Sequence, residues 1–444
     1  MLPEPGAPKT SHPAPGTVGT KQLLAMTSAI GALLLLLLVH LLVWQRTVAL
    51  RGGIAAQAVQ SDFSATLTGA LVIRRGQGAQ LYDLATQRAA QVILLDQPGA
   101  AQSATVLPYI HPPFEALLIA PLLALPYGTL YLLWNALNLA ALAAALLLLA
   151  RAAPLPWQVG LVVLAALGSF SPLHQGLTLG QSSPLILLGL CGAYAALRQR
   201  RDALAGVALA LVVLKPQLLL VVGLLLLLHR RWRTLAVCGA VVALASVAAM
   251  AALGPLWPLR YARFLAGITQ WNGNHNEYPQ IMYNWRGLIV NLLGSTDSSA
   301  IGPLIGLLTL TTLGALVWAW WRSRAATGDN ADRANDLLWA LVVPVAILIA
   351  PHLYIHDLTL LAMTTWLVLR QIATGVWHGP QRLVWYTFLW LGYLLAFSSL
   401  FRSENHPLWP VVPGILCIAA SVGLLTWRAR DIAAPARPAL RVGR

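Results

Sequence analysis

Charged residues are scarce in this chain. Asp, Glu, Lys and Arg make up 10% of its 444 residues and apolar residues make up 58%, whereas a soluble domain has about 25% charged and roughly 45–50% apolar residues. This composition excludes a water-soluble enzyme. The sequence also lacks the short alternating segments of a transmembrane β-barrel, because its apolar residues come in continuous runs such as GALLLLLLVHLLVW.

Cysteines and nucleotide-binding motifs are lacking as well. The three cysteines, Cys191, Cys238 and Cys417, lie in apolar runs far apart in the sequence, so neither a disulfide framework nor a metal knuckle is expected. The glycine-containing segment GLTLGQSS at 176–183 has no lysine, which a phosphate-cradling loop requires. These absences argue against an ATP-driven pump, and the sequence predicts no metal and no cofactor.

The apolar runs predict an all-α integral membrane protein. A membrane-spanning helix needs about 20 residues, so the chain has room for a polytopic bundle of about 12 transmembrane segments. Several runs are shorter than a normal span, which predicts broken or tilted helices around a cavity. The run at 112–150 is interrupted by PYG at 126–128, and one half of it is a candidate re-entrant segment.

The chain divides into one membrane domain and two tails. We expect a disordered cytoplasmic tail at 1–20, a single transmembrane domain at 21–430 and a basic cytoplasmic tail at 431–444. Two polar stretches interrupt the membrane domain, a helical first outer loop at 45–110 and a second large outer loop at 255–300.

The surplus of positive charge indicates membrane topology. The 29 Lys and Arg residues exceed the 14 Asp and Glu residues by 15, and arginines form clusters at 198–201, 229–233 and 322–324 between apolar runs. Arginine-rich short loops are typical of the cytoplasmic side. Both termini are therefore expected in the cytoplasm, and nucleic acid is not expected as a partner.

This topology places most of the polar residues on the extracytoplasmic face. Interfacial loops are commonly polar and rich in His and Trp, so each such residue alone has an ordinary anchoring role as its alternative. The concentration on one face, while the opposite loops are short and arginine-rich, points instead to a binding site. The candidate substrate-binding residues are His111, Gln181, Gln217, Trp271, Asn274 and Glu277.

Lys215 is the only lysine within the membrane domain away from its N-terminal end, and Pro216 follows it. An ionisable group within the bilayer costs about 2.5–3.5 kcal/mol on insertion scales and marks a functional site. The proline predicts a helix break of the kind that lines a cavity. A cation there suits an anionic group such as a phosphate, and the alternative is snorkelling of the side chain to the outer interface.

Asp62 is the main candidate among the carboxylates. It opens a short predicted helix soon after the first apolar run, and Asp is a preferred helix N-cap residue. The alternative is a general base that takes a proton from a substrate hydroxyl. The local sequence by itself favours the cap.

His352 and His356 are spaced i, i+4, with Asp357 beside them. Such a pair shares one face of a helix, although Pro351 leaves the helical geometry open. Polar lining of a cavity is the more common role of such a pair, and no metal site is predicted.

Four segments, taken in order, resemble one known family. An Asp-Phe pair at 62–63 is followed by HPPFEALLIAPLLALPYGTLYLLWNALNLAAL from 111, GQSSPLILLGL from 180 and LKPQLLLVVGLLLLLHRRWRTL from 214. Together they resemble glycosyltransferase family 87, the polyprenyl-phosphate-mannose-dependent mannosyltransferases of the GT-C fold. The similarity covers roughly residues 55–240, with a weaker echo at APHLYIHD.

The resemblance implies an enzyme of the cell membrane that is independent of metal or weakly dependent on it. It would transfer a hexose, expected to be mannose, from a polyprenyl-phosphate donor to a lipid or glycan acceptor, with inversion, on the extracytoplasmic side. By position Asp62 matches the catalytic aspartate of the family. His352 and His356 both stand where the family has a histidine-rich segment, and the choice between them stays open.

The remaining candidates fit this chemistry. Lys215, together with Arg286 or a histidine, would hold the donor phosphate. Gln181 and Gln217 would hydrogen-bond sugar hydroxyls, and Trp271 or Trp285 would stack on a sugar, with an interfacial aromatic belt as the alternative. The expected partners are the lipid bilayer, the donor and the acceptor, with no obligate protein partner.

A secondary transporter or a lipid or polysaccharide flippase is the alternative function. Short broken helices with a buried lysine also occur in transporters. Transporters place coupling residues at the midplane and often have inverted repeats, whereas the polar motifs here crowd one face and no internal repeat is detectable. This asymmetry favours the transferase.

Overall fold

The structure, a computed structural model, describes residues 20–95, 107–267 and 278–374, together with positions 415, 419, 422 and 423. The two predicted tails, apart from Thr20, lie outside these ranges. Within them the fold is all helical and contains no strand. The predicted fold class is confirmed to that extent.

The chain starts with one long helix and three short ones. They are α1 (Thr20–Leu50), α2 (Ile54–Gln60), α3 (Phe63–Arg74) and α4 (Leu84–Leu95). The last three occupy the stretch predicted as a helical first outer loop, so its helical character is confirmed. α3 is buried along most of its length, and its N-terminus contributes to the cavity described below.

The middle of the chain alternates long helices with broken ones. These are α5 (Phe114–Ile119), α6 (Tyr127–Ala152), α7 (Trp157–Gly168), α8 (Ser171–Leu179), α9 (Ser183–Arg198), α10 (Asp202–Leu209), α11 (Pro216–Leu228) and α12 (Trp232–Leu253). Because proline lacks a backbone N–H, it is tolerated at helix starts, and α6 begins directly after Pro126. The predicted break at 126–128 is confirmed, and only the second half of that run forms a long helix.

The last described helices complete the core. They are α13 (Trp257–Gly267), α14 (Trp285–Leu293), α15 (Ile301–Ser323), α16 (Asp329–Ile349) and α17 (Leu361–Thr374). Most residues of α9 are buried, and α9 packs against α6 and α10. The buried stretch of α16 packs against α11 and α17. This core fixes the segments that follow α8 and α16, and both of them reach the cavity.

Several helices have the length and composition of membrane spans. Among the described residues α1, α6, α12 and α15 qualify, and the pair α7–α8, which is bent by 45°, adds a fifth if it counts as one broken span. Many of their leucines are exposed on the outside of the bundle, as expected of lipid-facing surfaces. The chain is therefore a multi-pass membrane protein, while the count of about 12 spans and the GT-C architecture stay predictions.

The helix break predicted at Lys215 is present. A 3-10 helix, Ala210–Leu214, ends before Lys215, whose backbone is non-helical (φ −130°, ψ 82°), and α11 starts at Pro216. Short, interrupted helices of this kind bring polar side chains into the interior of the bundle. The sequence expectation of broken helices around a cavity is thus confirmed.

Candidate active site

One large cavity, of about 890 Å³, lies between the first outer-loop helices and the broken segments of the bundle. Its walls come from the α2–α3 junction, the segment 107–111, the end of α8, the break before α11 and the segment 351–356. The cavity brings together most of the residues proposed from the sequence, namely Asp62, His111, Gln181, Lys215, Gln217, His352 and His356. Residues far apart in the chain thus share one site.

Asp62 faces this cavity and does not cap its helix. It occupies the N-cap position of α3 but makes no capping hydrogen bond with its side chain. Instead Asp62 Oδ2 accepts a hydrogen bond of 2.7 Å from Gln181 Nε2. The capping role that the local sequence favours is therefore absent, and the carboxylate is available to the cavity.

The loop after α8 sets the position of Gln181. Gly180 has φ +73°, and a Cβ at this residue would lie 2.7 Å from Phe63 Cβ. Only glycine combines that backbone conformation with so close a contact. The Gly180 carbonyl also accepts a hydrogen bond of 2.8 Å from Trp134 Nε1. The turn is thereby fixed against α3 and α6, which aims Gln181 at Asp62.

The buried environment of Asp62 shifts its protonation equilibrium toward the neutral carboxyl group, relative to an aspartate in water. Burial raises the pKa of Asp62 above its ordinary value, while the hydrogen bond from Gln181 and the charge of His111 oppose that rise. A carboxyl group with a raised pKa is a stronger base once it is ionised. Asp62 therefore has the electrostatic character of a general base.

Lys215 forms an ion pair inside the cavity wall. Its Nζ donates a hydrogen bond to Asp357 Oδ1, which also accepts one of 2.8 Å from Ser183 Oγ. The exposed fraction is 7% for Lys215 and 1% for Asp357. The lysine predicted from the sequence thus lines the cavity with its charge already balanced by a carboxylate. Sequence reasoning missed this pairing because 142 residues separate the partners.

His111 contacts a second buried carboxylate. His111 Nδ1 lies 2.6 Å from Glu115 Oε2, and Glu115 is 3% exposed. Burial raises the pKa of Glu115, but the charge and the hydrogen bond of His111, together with smaller contributions from Ser182 and Lys215, bring the net pKa below its ordinary value. Glu115 was not among the predicted site residues. The i, i+4 spacing within HPPFE was the available signal.

His352 and His356 both line the cavity, but they do not share a helix. The 3-10 helix Ile355–Leu360 includes His356, and His352 precedes it in a bend after Pro351. The ring of His352 packs edge-on against Tyr354, with ring centroids 4.8 Å apart. The geometry that Pro351 left open is therefore not that of a helical face.

Arg286 lies apart from the main cavity. It lines a second cavity of about 360 Å³, with Trp285, Val290, Thr296 and the end of α16 around it. Helix α14 starts at Trp285, with Asn284 as its N-cap, and this places Arg286 behind Pro351. The structure therefore does not bring Arg286 to the other candidates. Trp271, Asn274 and Glu277 lie outside the described residues.

The described residues contain no group of three or more His, Cys, Asp or Glu side chains arranged to hold a metal ion. The ionisable groups of the cavity wall are instead arranged in pairs. Lys215 and His111 each contact a buried carboxylate. In the part of the chain that the structure describes, Asp62 has the neutral amide of Gln181 as its hydrogen-bond partner and no ion pair.

Comparisons with known proteins identify relatives of this chain. Residues 109–351, more than half of the chain, match glycosyltransferase family 87. The matched region includes His111, Lys215 and His111's partner Glu115, and it begins after Asp62. No solved structure matches the chain.

Two curated relatives are mycobacterial enzymes. Both are named polyprenol-phosphate-mannose-dependent alpha-(1-2)-phosphatidylinositol pentamannoside mannosyltransferase. The one from Mycolicibacterium smegmatis is 27% identical over 351 residues, which cover 75% of this chain and 81% of that protein. The one from Mycobacterium tuberculosis is 26% identical over 341 residues, covering 72% of this chain and 73% of that protein.

Proposed function

The chain belongs to glycosyltransferase family 87, and from that premise we propose that it transfers mannose from a polyprenyl-phosphate donor to a lipid-linked acceptor. The names of its relatives support the donor class and an acceptor built on phosphatidylinositol mannoside. A glycan acceptor remains within the proposed class. The transfer inverts the anomeric carbon and takes place on the extracytoplasmic face of the membrane.

Asp62 is the general base in this proposal. The acceptor hydroxyl gives its proton to Asp62 as its oxygen attacks the anomeric carbon of mannose. The bond between that carbon and the phosphate oxygen breaks, and the bonding electrons leave with the polyprenyl phosphate. No nucleotide is needed, because the leaving group is the lipid phosphate itself.

One observation carries this assignment. Asp62 lines the cavity, and two further carboxylates lie behind its wall, where Glu115 contacts His111 and Asp357 contacts Lys215. The side chain of Asp62 hydrogen-bonds only the amide of Gln181 among the described residues. A carboxylate in an ion pair is a weak base, so Asp62 is the one suited to accept a proton.

The other candidates take supporting roles. Lys215 helps to hold the donor phosphate at the helix break before α11, and His352 or His356 lies on the same wall. Gln217, half-buried on α11, is within the cavity lining and is suited to bind a sugar hydroxyl. The apolar part of the lining, including Leu94, Leu95 and Leu220, suits a lipid chain.

The test is sugar transfer by the purified protein in lipid nanodiscs. Labelled polyprenyl-phosphate mannose and a phosphatidylinositol mannoside are incubated with the wild type and with Asp62→Asn. We expect the variant to lose roughly a hundredfold to ten-thousandfold in kcat, as for a missing general base, with donor binding retained.

Asp83→Asn is the matched control. Asp83 is exposed in the same loop and accepts a hydrogen bond of 2.7 Å from the backbone of Thr86, a role that asparagine can keep. An Asp62→Asn variant with wild-type activity would exclude Asp62 as the base. Wild-type protein that transfers no sugar from any polyprenyl-phosphate hexose would refute the proposed function.

A further inference from the structure

The pair formed by His111 and Glu115 has a second consequence for the proposed reaction. We propose that Glu115 is a positioning residue that keeps His111 protonated, so that His111 Nε2 donates a hydrogen bond to the phosphate of the donor. The inference rests on the proposed function and adds a further phosphate contact to that of Lys215.

The two residues of the pair are buried to different degrees. The side chain of His111 is 19% exposed and lines the cavity, while that of Glu115 is 3% exposed and lies behind it. Nδ1 of His111 faces the carboxylate at 2.6 Å. Nε2 makes no hydrogen bond with the part of the chain that the structure describes, so it is the atom left for a ligand.

The ionised state of Glu115 accounts for the proton on His111. A buried carboxylate needs a counter-charge, and the lysine of the same cavity already pairs with Asp357. His111 is therefore the cation that belongs to Glu115. Burial raises the pKa of Glu115, but the charge and the hydrogen bond of His111, with smaller contributions from Ser182 and Lys215, together bring it below its ordinary value, which agrees with this assignment.

The other ionisable groups around the pair do not replace either partner. Burial raises the pKa values of the tyrosines on the neighbouring elements, so they stay neutral at physiological pH. Asp62 and Lys215 face the pair across the cavity and have the partners described above. The ionisable side chains concerned are Tyr82, Tyr109, Tyr261, Asp62, Lys215, His352 and His356.

The backbone that carries His111 is held rigidly. Tyr82 Oη donates to the carbonyl of His111 at 3.1 Å, Tyr261 Oη to that of Ile110 at 3.2 Å, and Tyr109 Oη to that of Pro112 at 2.5 Å. The two prolines after His111 restrict the chain further. A binding group fixed by its surroundings before the ligand arrives loses little entropy on binding, which suits contact with a substrate.

Phosphate is the ligand that this arrangement suits. The leaving phosphate gains negative charge as its bond to the sugar breaks, and a charge-assisted hydrogen bond stabilises that charge more than a neutral one does. The more deeply buried Lys215 is 7% exposed. His111 offers the better accessible donor in the same cavity as the proposed base.

Glu115→Gln tests the proposal, because glutamine keeps the shape of glutamate and removes its charge. Binding of labelled polyprenyl-phosphate mannose is measured without acceptor between pH 5 and 8, the range in which histidine ordinarily titrates. Loss of a charge-assisted hydrogen bond predicts roughly a ten- to hundredfold increase in Kd at neutral pH. A histidine needs no neighbouring carboxylate to be protonated at acidic pH, so the donor affinities of the two proteins should converge there.

Three control variants are measured in the same binding assay. His111→Asn should show the same loss at neutral pH, and the addition of Glu115→Gln to it should have no further effect. Asp83→Asn should bind the donor like the wild type. Should Glu115→Gln lower the melting temperature, the double variant His111→Asn/Glu115→Gln, which leaves no buried charge unpaired, gives the comparison at neutral pH.

The possible results separate this inference from the proposed function. A Glu115→Gln variant with wild-type Kd at every pH would overturn the inference, and so would a deficit that is equal at every pH, because that marks a structural role. If the wild type transfers mannose and Glu115→Gln gives either of these two results, only this inference is refuted and the proposed function stands. Wild-type protein that neither binds nor transfers a polyprenyl-phosphate sugar refutes the proposed function as well.

Discussion

Removing one partner of the Lys215–Asp357 pair should destabilise the protein more than removing both. Asp357→Asn leaves the ammonium of Lys215, a side chain 7% exposed, without its counter-charge. Loss of one member of a buried ion pair costs about 3–5 kcal/mol, because the remaining charge stays desolvated. We expect the free energy of unfolding to fall by that amount.

The two single substitutions should differ in size. Lys215→Met leaves the Asp357 carboxylate, which still accepts the hydrogen bond of 2.8 Å from Ser183 Oγ and has His356 Nε2 at 3.6 Å. The hydrogen bond from Ser183 stabilises the remaining carboxylate in part, so the loss should lie at the lower end of that range. The double variant Lys215→Met/Asp357→Leu removes both charges and should cost less than either single change, since apolar replacements of buried ion pairs are often neutral.

The assay is unfolding of the purified protein in mixed micelles by increasing amounts of SDS, followed by tryptophan fluorescence. The chain has 17 tryptophans, so the signal reports on many helices. Gln217→Asn, a polar change beside the pair that alters no charge, serves as the control. A double variant whose loss equals the sum of the two single losses would show that the two groups do not interact, and would refute the reasoning.

The same double variant separates structure from function. Because it should fold, its donor affinity reports on the charge of Lys215 without the penalty of an unpaired aspartate. Weaker binding of polyprenyl-phosphate mannose is expected if Lys215 contacts the phosphate. Unchanged donor affinity would leave Lys215 with a structural role.

Two other substitutions probe the Asp62 wall. A general base must be ionised, so kcat/KM should fall as the pH drops through the raised pKa of Asp62. Gln181→Leu removes a hydrogen bond that lowers this pKa, so the acidic limb of the pH profile should move to higher pH. An acidic limb that does not move would show that it does not report the ionisation of Asp62. Gly180→Ala places a Cβ 2.7 Å from that of Phe63 at a backbone φ of +73°, which should lower stability by about 1–3 kcal/mol and reduce activity. The control Gly223→Ala lies in α11 with no atom within 4 Å of the added Cβ, so it should be neutral or stabilising in the same unfolding assay. Equal effects of the two substitutions would contradict the packing argument.

The sequence by itself determined the class of the protein. The length and continuity of its apolar runs allow only helices that cross a membrane, because backbone groups in lipid must be satisfied within the segment. The positions of Pro126 and Pro216 set two helix breaks, because proline has no backbone N–H to donate to the preceding turn of a helix. The motif order from Asp62 to KPQ, and the family that it resembles, could also be read without coordinates.

The partners of the site residues could not be read in this way. The side chain of Asp62 reaches Gln181 rather than its own helix, and Lys215 meets Asp357, because helix packing joins segments more than a hundred residues apart. The same packing separates Arg286 from the cavity, although the sequence suggested the same face for both cations.

The partner of each carboxylate at the site was decided only by tertiary structure. Asp62, Glu115 and Asp357 each lie beside a polar motif in the sequence, and the sequence does not show which side chain each of them contacts. Their surroundings differ because His111 and Lys215 contact two of them, while a neutral amide contacts the third. A charge interacts with what is near it in space, and the one-dimensional order of residues does not contain that distance.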